Sequence, residues 1–170
     1  QQPAFVLLQS SKGLAAVDPV SGTIVWNCDK GASTIPSATV DSGSIVIPSN
    51  GLTAIRPAKD NTFEQLWNSS SISPGTSSPV VVDGWAFALN SAGVLSAGDT
   101  KTGERLWQLR LRGSFSSTPI AANGYLYLFN EDGNAFVVKP EKDNGIIVSE
   151  LDLAENILCS PGAANGALYV

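Results

Sequence analysis

The side chains able to do chemistry in these 170 residues are few, and their types narrow the options quickly. The chain has no His, and its two cysteines, Cys28 and Cys159, lie far apart in unrelated contexts. Zinc and copper centres of the usual kinds need imidazole or clustered thiolates, and Ser-His-Asp or Cys-His relays need a His, so this chain has neither. Paired carboxylates are what remains. Asp41, Asp83, Glu104, Glu131, Asp132, Asp143 and Asp152 would do acid–base work if two of them converged. All sit at or beside predicted turns, where solvated hairpin residues are the plainer reading. The glycines at Gly13, Gly51 and Gly113 open neither a GxGxxG helix start nor a GxxxxGK[ST] loop, which removes the usual nucleotide cradles. The expectation is therefore no catalytic residue, no metal ligand set and no cofactor-binding residue.

The remaining candidates are weaker still. Cys28 and Cys159 form no CxxC spacing, and two small buried or half-buried thiols are the plain reading, with a disulfide between them the alternative. Asn68-Ser69-Ser70 fits the glycosylation acceptor pattern, which matters only in a eukaryotic secretory pathway. The Ser-rich connection from Asn68 to Ser78 and the basic cluster Arg105, Arg110 and Arg112 are candidate partner surfaces, read more plainly as a loop and a solvated face.

Composition points to the framework that must position these groups. Hydrophobic residues make up 43% and charged residues 15%, with 16 Gly and 10 Pro. Charge is well below the roughly 25% of ordinary soluble chains, and the glycine and proline content is that of a turn-rich β protein. A net charge of −5 lacks the basic footprint that phosphate backbones or anionic lipid surfaces select, so nucleic acid is excluded as a partner. No window approaches 18 consecutive apolar residues, so no membrane span is expected, and Gln1-Gln2-Pro3 lacks the basic and apolar regions of a leader. Met is absent throughout, so the sequence reads as processed or cut from a longer chain.

Internal repeats dominate the sequence. Asp18-Pro19-Val20-Ser21-Gly22-Thr23-Ile24-Val25-Trp26 and Asp99-Thr100-Lys101-Thr102-Gly103-Glu104-Arg105-Leu106-Trp107 share the pattern D-x-x-[ST]-G-x-x-x-W. Between them, Arg56-Pro57 leads to Trp67 through a longer turn, and Lys139-Pro140 leads through Asn144-Gly145 to Val148, where the Trp is lost. These positions are spaced 41, 40 and 41. A second series has the same period: Ser78-Pro79 to Asp83-Gly84, Thr118-Pro119 to Asn123-Gly124, and Ser160-Pro161 to Asn165-Gly166. Its first copy, Ser37-Ala38 to Gly43, lacks the Pro.

Each period reads as four short antiparallel strands. An apolar first strand such as Pro79–Val82 ends in Asp-Gly or Asn-Gly, the dipeptides of tight hairpins. An aromatic and β-branched second strand follows, then a third strand such as Leu14–Val17, then the Asp-led turn and a fourth strand ending at the Trp. With no helical periodicity, the expected class is all-β, a β-propeller of four-stranded antiparallel blades. Asp18 and Asp99 open turns as acceptors of backbone N–H, and Gly22 and Gly103 supply φ values that strain other residues. Trp26, Trp67 and Trp107 are expected to act as wedges between blades, each burying on the order of 200 Å², worth at most about 5 kcal/mol.

The pattern G-x-L-x-A-x-D-x-x-[ST]-G-x-x-x-W, best seen in Leu14, Ala16, Asp18, Ser21, Gly22 and Trp26, resembles the pyrroloquinoline-quinone-like repeat. That repeat occurs in quinoprotein alcohol dehydrogenases and in BamB-type outer-membrane assembly lipoproteins. The resemblance covers essentially the whole chain and is specific for fold; the lack of His and of a Trp-Asp dipeptide separates it from WD-type propellers. It implies seven or eight blades in all, with about four here. The repeats run approximately over 4–34, 35–76, 77–116 and 117–156, a fifth begins at 157–170, and 1–170 forms one partial propeller domain. Ala167–Val170 repeats the role of Phe5–Gln9, so a closed four-bladed ring has no place for it. An open array exposes sheet edges and apolar faces, and needs more chain or a partner.

The resemblance further implies a non-catalytic scaffold for protein–protein interaction in a periplasmic, cell-surface or secreted setting. Its partners would be other proteins, as a larger assembly or the rest of its own propeller. The alternatives are part of a quinone-dependent dehydrogenase and a ligand-sensing propeller of a larger protein. The adjacent cysteines that the resemblance leads one to look for beneath a quinone are missing, and no calcium-ligand set can be matched.

Overall fold

A computed structural model describes residues 4–58 and 60–170. Gln1–Pro3, on which the leader reading rests, and Lys59 in the turn before Phe63 lie outside the described residues. Every regular element is a strand, and all strand pairs are antiparallel. The first sheet holds β1 (Val6–Ser10), β2 (Gly13–Val17) and β3 (Ile24–Cys28). Three four-stranded meanders follow. One is β4 (Thr39–Asp41), β5 (Ser44–Ile47), β6 (Leu52–Pro57) and β7 (Phe63–Ser69), and the next is β8 (Val80–Val82), β9 (Trp85–Leu89), β10 (Val94–Asp99) and β11 (Arg105–Arg110). The last comprises β12 (Ile120–Ala122), β13 (Tyr125–Phe129), β14 (Asn134–Pro140) and β15 (Gly145–Asp152). A hairpin of β16 (Gly162–Ala164) and β17 (Ala167–Tyr169) starts a fifth unit. These are blades of a β-propeller, the first four packed each against the next.

Local sequence explains the hairpins. Asp83-Gly84, Asn123-Gly124 and Asn165-Gly166 all have positive φ, between 51° and 81°, at both turn residues. This is the backbone that two-residue turns need to match strand twist, and Asx-Gly adopts it with least strain. The blades are held face to face by apolar seams. One seam joins Leu14, Ala16 and Trp26 to Ile45, Ile47 and Ile55. The next joins Val46, Ala54 and Trp67 to Ile72, Ala86 and Ala88. The largest packs Phe87, Leu95 and Trp107 against Leu126, Leu128 and Val138. Each seam holds one tryptophan of the repeat.

Register corrects one sequence position. The third and fourth strands of every blade pair around a bulge at the same place, whose extra residue on the fourth strand is Val25, Leu66, Leu106 or Val148. Trp26, Trp67 and Trp107 pair with Ala16, Ala54 and Ala97, one residue beyond the bulge. In the fourth blade that place pairs Ser149 with Val137, so Ser149 and not Val148 stands in the tryptophan position. Counting forward from the turn glycine agrees, since Gly22, Gly103 and Gly145 each precede this position by four residues. The pairing also shows volume exchange: a small Ala lies beside each indole, whereas Val lies beside the Ser.

A second device links the blades at their first strands. The Ser37 N–H donates to Ser78 Oγ at 2.9 Å, the Ser78 N–H to Thr118 Oγ1 at 3.0 Å, and the Thr118 N–H to Ser160 Oγ at 2.9 Å. Ser77 Oγ adds a buried bond to the Ser117 carbonyl at 2.8 Å. The hydroxyl residue ahead of the Pro is thus the acceptor in a ladder running from blade to blade. Thr118→Val should leave the Ser78 N–H without its partner and cost about 1–2 kcal/mol of unfolding free energy in urea titrations. Thr118→Ser should keep nearly all of it, and equal losses in the two variants would show that the bond carries no stability.

Candidate functional site

The polar residues of the repeat turn inward on the scaffold. Asp18 Oδ1 accepts the N–H groups of Val20 and Ser21, each at 2.8 Å, and Asp99 Oδ1 accepts those of Lys101 and Thr102 at 2.7 and 2.9 Å. Gly22 and Gly103, both with φ 72°, close these turns by donating to the Asp18 and Asp99 carbonyls at 2.9 Å. Hydrogen bonding from the Ser21 backbone, then from Val20, holds the Asp18 carboxyl below the usual carboxylate range. A depressed carboxylate stabilises the fold above its unfolded value of about 3.9, and that contribution is lost as pH falls through the depressed value. Thermal melts between pH 5 and 2 should therefore depend less steeply on pH in Asp18→Asn than in the parent. Identical slopes would show that the turn does not feel this charge.

The tryptophans meet the following blade in a recurrent way. Trp67 Nε1 donates to the Thr100 carbonyl at 2.7 Å, and Trp107 Nε1 to the Glu141 carbonyl at 2.9 Å. The ring of Trp67 covers Gly103, where an added Cβ would fall 2.7 Å from ring carbons, and Trp107 covers Gly145 at 2.9 Å. Trp26 packs instead against Phe63, with ring centroids 5.9 Å apart, and its Nε1 has no partner among the described residues. Phe63 stands where Gly103 stands in the next blade, after a turn lengthened beyond Pro57. Trp85 and Phe87 extend the Trp107 contact, with centroids 6.1 and 6.0 Å from it. This places Asp18, Gly22, Trp26, Trp67, Asp99, Gly103 and Trp107 at turns and seams.

The enzyme-like and surface candidates fall elsewhere. Asp41 and Asp83 lie at the hairpins between first and second strands, and Asp143 lies in the turn before β15. Glu131 receives the Ser116 hydroxyl, and Asp152 Oδ1 accepts the Ala154 N–H at 2.8 Å. Among the described residues no three of His, Cys, Asp or Glu are grouped so as to hold a metal ion. Cys28 is buried and Cys159 exposed, both as free thiols, and burial pushes the Cys28 thiol up. The basic cluster is partly tied down, with Arg112 Nη2 2.5 Å from Glu150 Oε1 and Arg105 Nη1 donating to the Ser71 carbonyl at 3.2 Å. The Ser-rich connection is anchored by Ile72, which is fully buried, and the Asn68 amide donates to Thr53 Oγ1 at 2.8 Å. An open cleft of about 700 Å³ separates Asn68, Ser69 and Ser71 from Thr102, Glu104 and Arg105 at the outer rim.

Sequence reasoning missed the hydroxyl ladder, although Ser37, Ser78, Thr118 and Ser160 repeat with a spacing of 41, 40 and 42. The signal was visible as a period; what it lacked was a chemical role, because a Ser before a Pro also reads as an ordinary turn residue.

Four-stranded meanders, with a recurring tryptophan wedged into three successive seams, define a β-propeller of pyrroloquinoline-quinone-like repeats. Residues 10–153 match the family of the outer membrane protein assembly factor BamB, and the chain belongs to that family. Its fold is similar to that of BamB from Moraxella catarrhalis, with TM-score 0.78 and 21% identity over 97% of this chain and 50% of that one. It is also similar to the computationally designed Ika8 protein, with TM-score 0.74 and 13% identity over 96% of this chain and 51% of that one. The chain thus spans about half the length of each of these two solved structures. No curated protein matches it by sequence. No helix among the described residues is long and apolar enough to cross a membrane.

Proposed function

We propose that this chain is a non-catalytic propeller scaffold that presents its loops to other proteins in the assembly of outer-membrane proteins, in a periplasmic, cell-surface or secreted setting. The observation that carries this reading is the match to the assembly-factor family over residues 10–153. The use of the repeat residues agrees with it. Asp18, Gly22, Trp26, Trp67, Asp99, Gly103 and Trp107 serve turns and seams, which leaves recognition to the connections between strands. The units of the scaffold are the repeats at approximately 4–34, 35–76, 77–116 and 117–156, with a fifth begun at 157–170.

Depletion of the protein from its native cell tests the reading. Folded outer-membrane barrels, measured by their heat-modifiable mobility, should fall relative to inner-membrane proteins. Unchanged barrel levels, with the protein confined to the cytoplasm on fractionation, would overturn it.

A further inference from the structure

The seam between the second and third blades is open at its outer rim, where the seams on either side of it carry larger or bridging side chains. Counted from the tryptophan position, Ser69 and Ser71 of the second blade stand where the third has Leu109 and Leu111. Glu104 and Arg105 of the third blade stand where the fourth has Ile146 and Ile147. The next seam thus has apolar residues at all four places, with Leu111 buried and Leu109 packed on the same core. In the preceding seam Phe63 takes the place of Gly103, and Lys30 Nζ donates to Gln65 Oε1 at 2.5 Å from the positions of Ser71 and Arg105. Small and polar residues at these places leave a cleft of about 700 Å³ between β7 and β11. That lies within the range of about 300–1,000 Å³ found for small-ligand sites. The blades on both sides of this seam have their neighbours within the chain, so the rest of a ring does not enter it.

The cleft sets hydrogen-bond donors beside acceptors. Arg105 Nη1 donates to the Ser71 carbonyl at 3.2 Å, which holds the guanidinium across the seam and leaves its other N–H groups for a ligand. Glu104, next to it on the cleft wall, offers carboxylate oxygens that only accept, and it offsets the arginine charge. Ser69, only 8% exposed, and Ser71 have hydroxyls 3.1 Å apart that both donate and accept. Leu106, the extra residue of the bulge, adds an apolar wall and is 43% exposed. A sugar hydroxyl is donor and acceptor at once, and the C–H face of a pyranose ring is apolar, so a sugar meets a partner of each kind here. A phosphate or carboxylate ligand would instead be repelled by Glu104.

We propose that this rim cleft is a binding site for a short neutral saccharide. Arg105 and Glu104 hold adjacent hydroxyls of the sugar, the two serines hold a further one, and the C–H face of the ring lies on Leu106. The site is separate from the seam tryptophans and does not depend on the scaffold role proposed above.

The test is saturation-transfer NMR on the protein in its full natural length, with lactose, maltose and N,N′-diacetylchitobiose as probes. Saturable transfer to at least one of these disaccharides is expected at roughly millimolar concentration. Arg105→Ala removes an exposed side chain, leaves the blades packed, and should weaken that binding about tenfold. Ser69→Leu combined with Ser71→Leu gives this seam the residues of the next one and should abolish binding, with the melting temperature kept or raised. Transfer that is absent for all three sugars, that survives Arg105→Ala undiminished, or that persists in the folded double-leucine variant would overturn the assignment. Displacement of the sugar by inorganic phosphate would overturn it as well, by making the cleft an anion site.

Discussion

Trp107→Ala is expected to lower the unfolding free energy by about 3–5 kcal/mol, the range for removing a large aromatic from a packed interior. Trp107 is 6% exposed, lies in the seam between third and fourth blades, and touches Trp85 and Phe87 of its own sheet. It also covers Gly145 and donates to the Glu141 carbonyl, so truncation opens a cavity and strands a neighbouring blade's acceptor. For a chain of this size each kcal/mol moves the melting temperature by roughly 2–4 °C, so a fall of about 10 °C should be seen. Trp107→Phe keeps the ring and loses the donor, and should lie between the two. A Trp107→Ala protein melting within a degree or two of the parent would show that the wedge carries little stability.

Gly103→Ala should be nearly as damaging, for a different reason. Its φ of 72° costs an L side chain roughly 1–2 kcal/mol, and the new methyl would fall 2.7 Å from the Trp67 ring. The indole must move, and with it goes the bond to the Thr100 carbonyl at 2.7 Å. A total of about 3 kcal/mol is expected. Gly22→Ala is the control, because it has the same φ and no described neighbour within 4 Å. It should lose only the conformational part, about 1 kcal/mol. Equal losses at the two glycines in urea titrations would remove the steric wedge and leave turn strain alone.

The contrast between these glycines marks how far the sequence could be read. Both belong to the same D-x-x-[ST]-G turn, and the periodic Asp, Gly and Trp residues were enough to place strands, turns and blade faces. Nothing in the motif says whether the neighbouring blade is there to cover the glycine. The same distinction explains Ser149. The turn from Lys139 to Gly145 is two residues longer than its counterpart from Asp99 to Gly103, so a position counted by the period of 41 from Trp107 falls one short, whereas pairing with Val137 and the count from Gly145 both give the true equivalent. The exchange of Ala-Trp for Val-Ser was legible once that register was known, because volume beside an indole must be small.

Polar chemistry was legible mainly as exclusion. The absence of His and of clustered Cys removed whole classes of site from composition alone. The carboxylates needed coordinates, since a turn Asp can either cap backbone N–H groups, as Asp18 does, or face solvent. The hydroxyl ladder needed them more, because its bonds join residues 40 to 42 apart. Sequence period predicted that these residues occupy equivalent places; only geometry shows that adjacent copies touch.

The proposed scaffold would differ from a quinoprotein in what it binds, and one titration separates the two. Pyrroloquinoline quinone and calcium added to the purified protein should leave the quinone absorbance unchanged, with no dye reduction when an alcohol is supplied. Saturable absorbance changes that require calcium, accompanied by dye reduction, would contradict the scaffold reading and make this propeller part of a dehydrogenase.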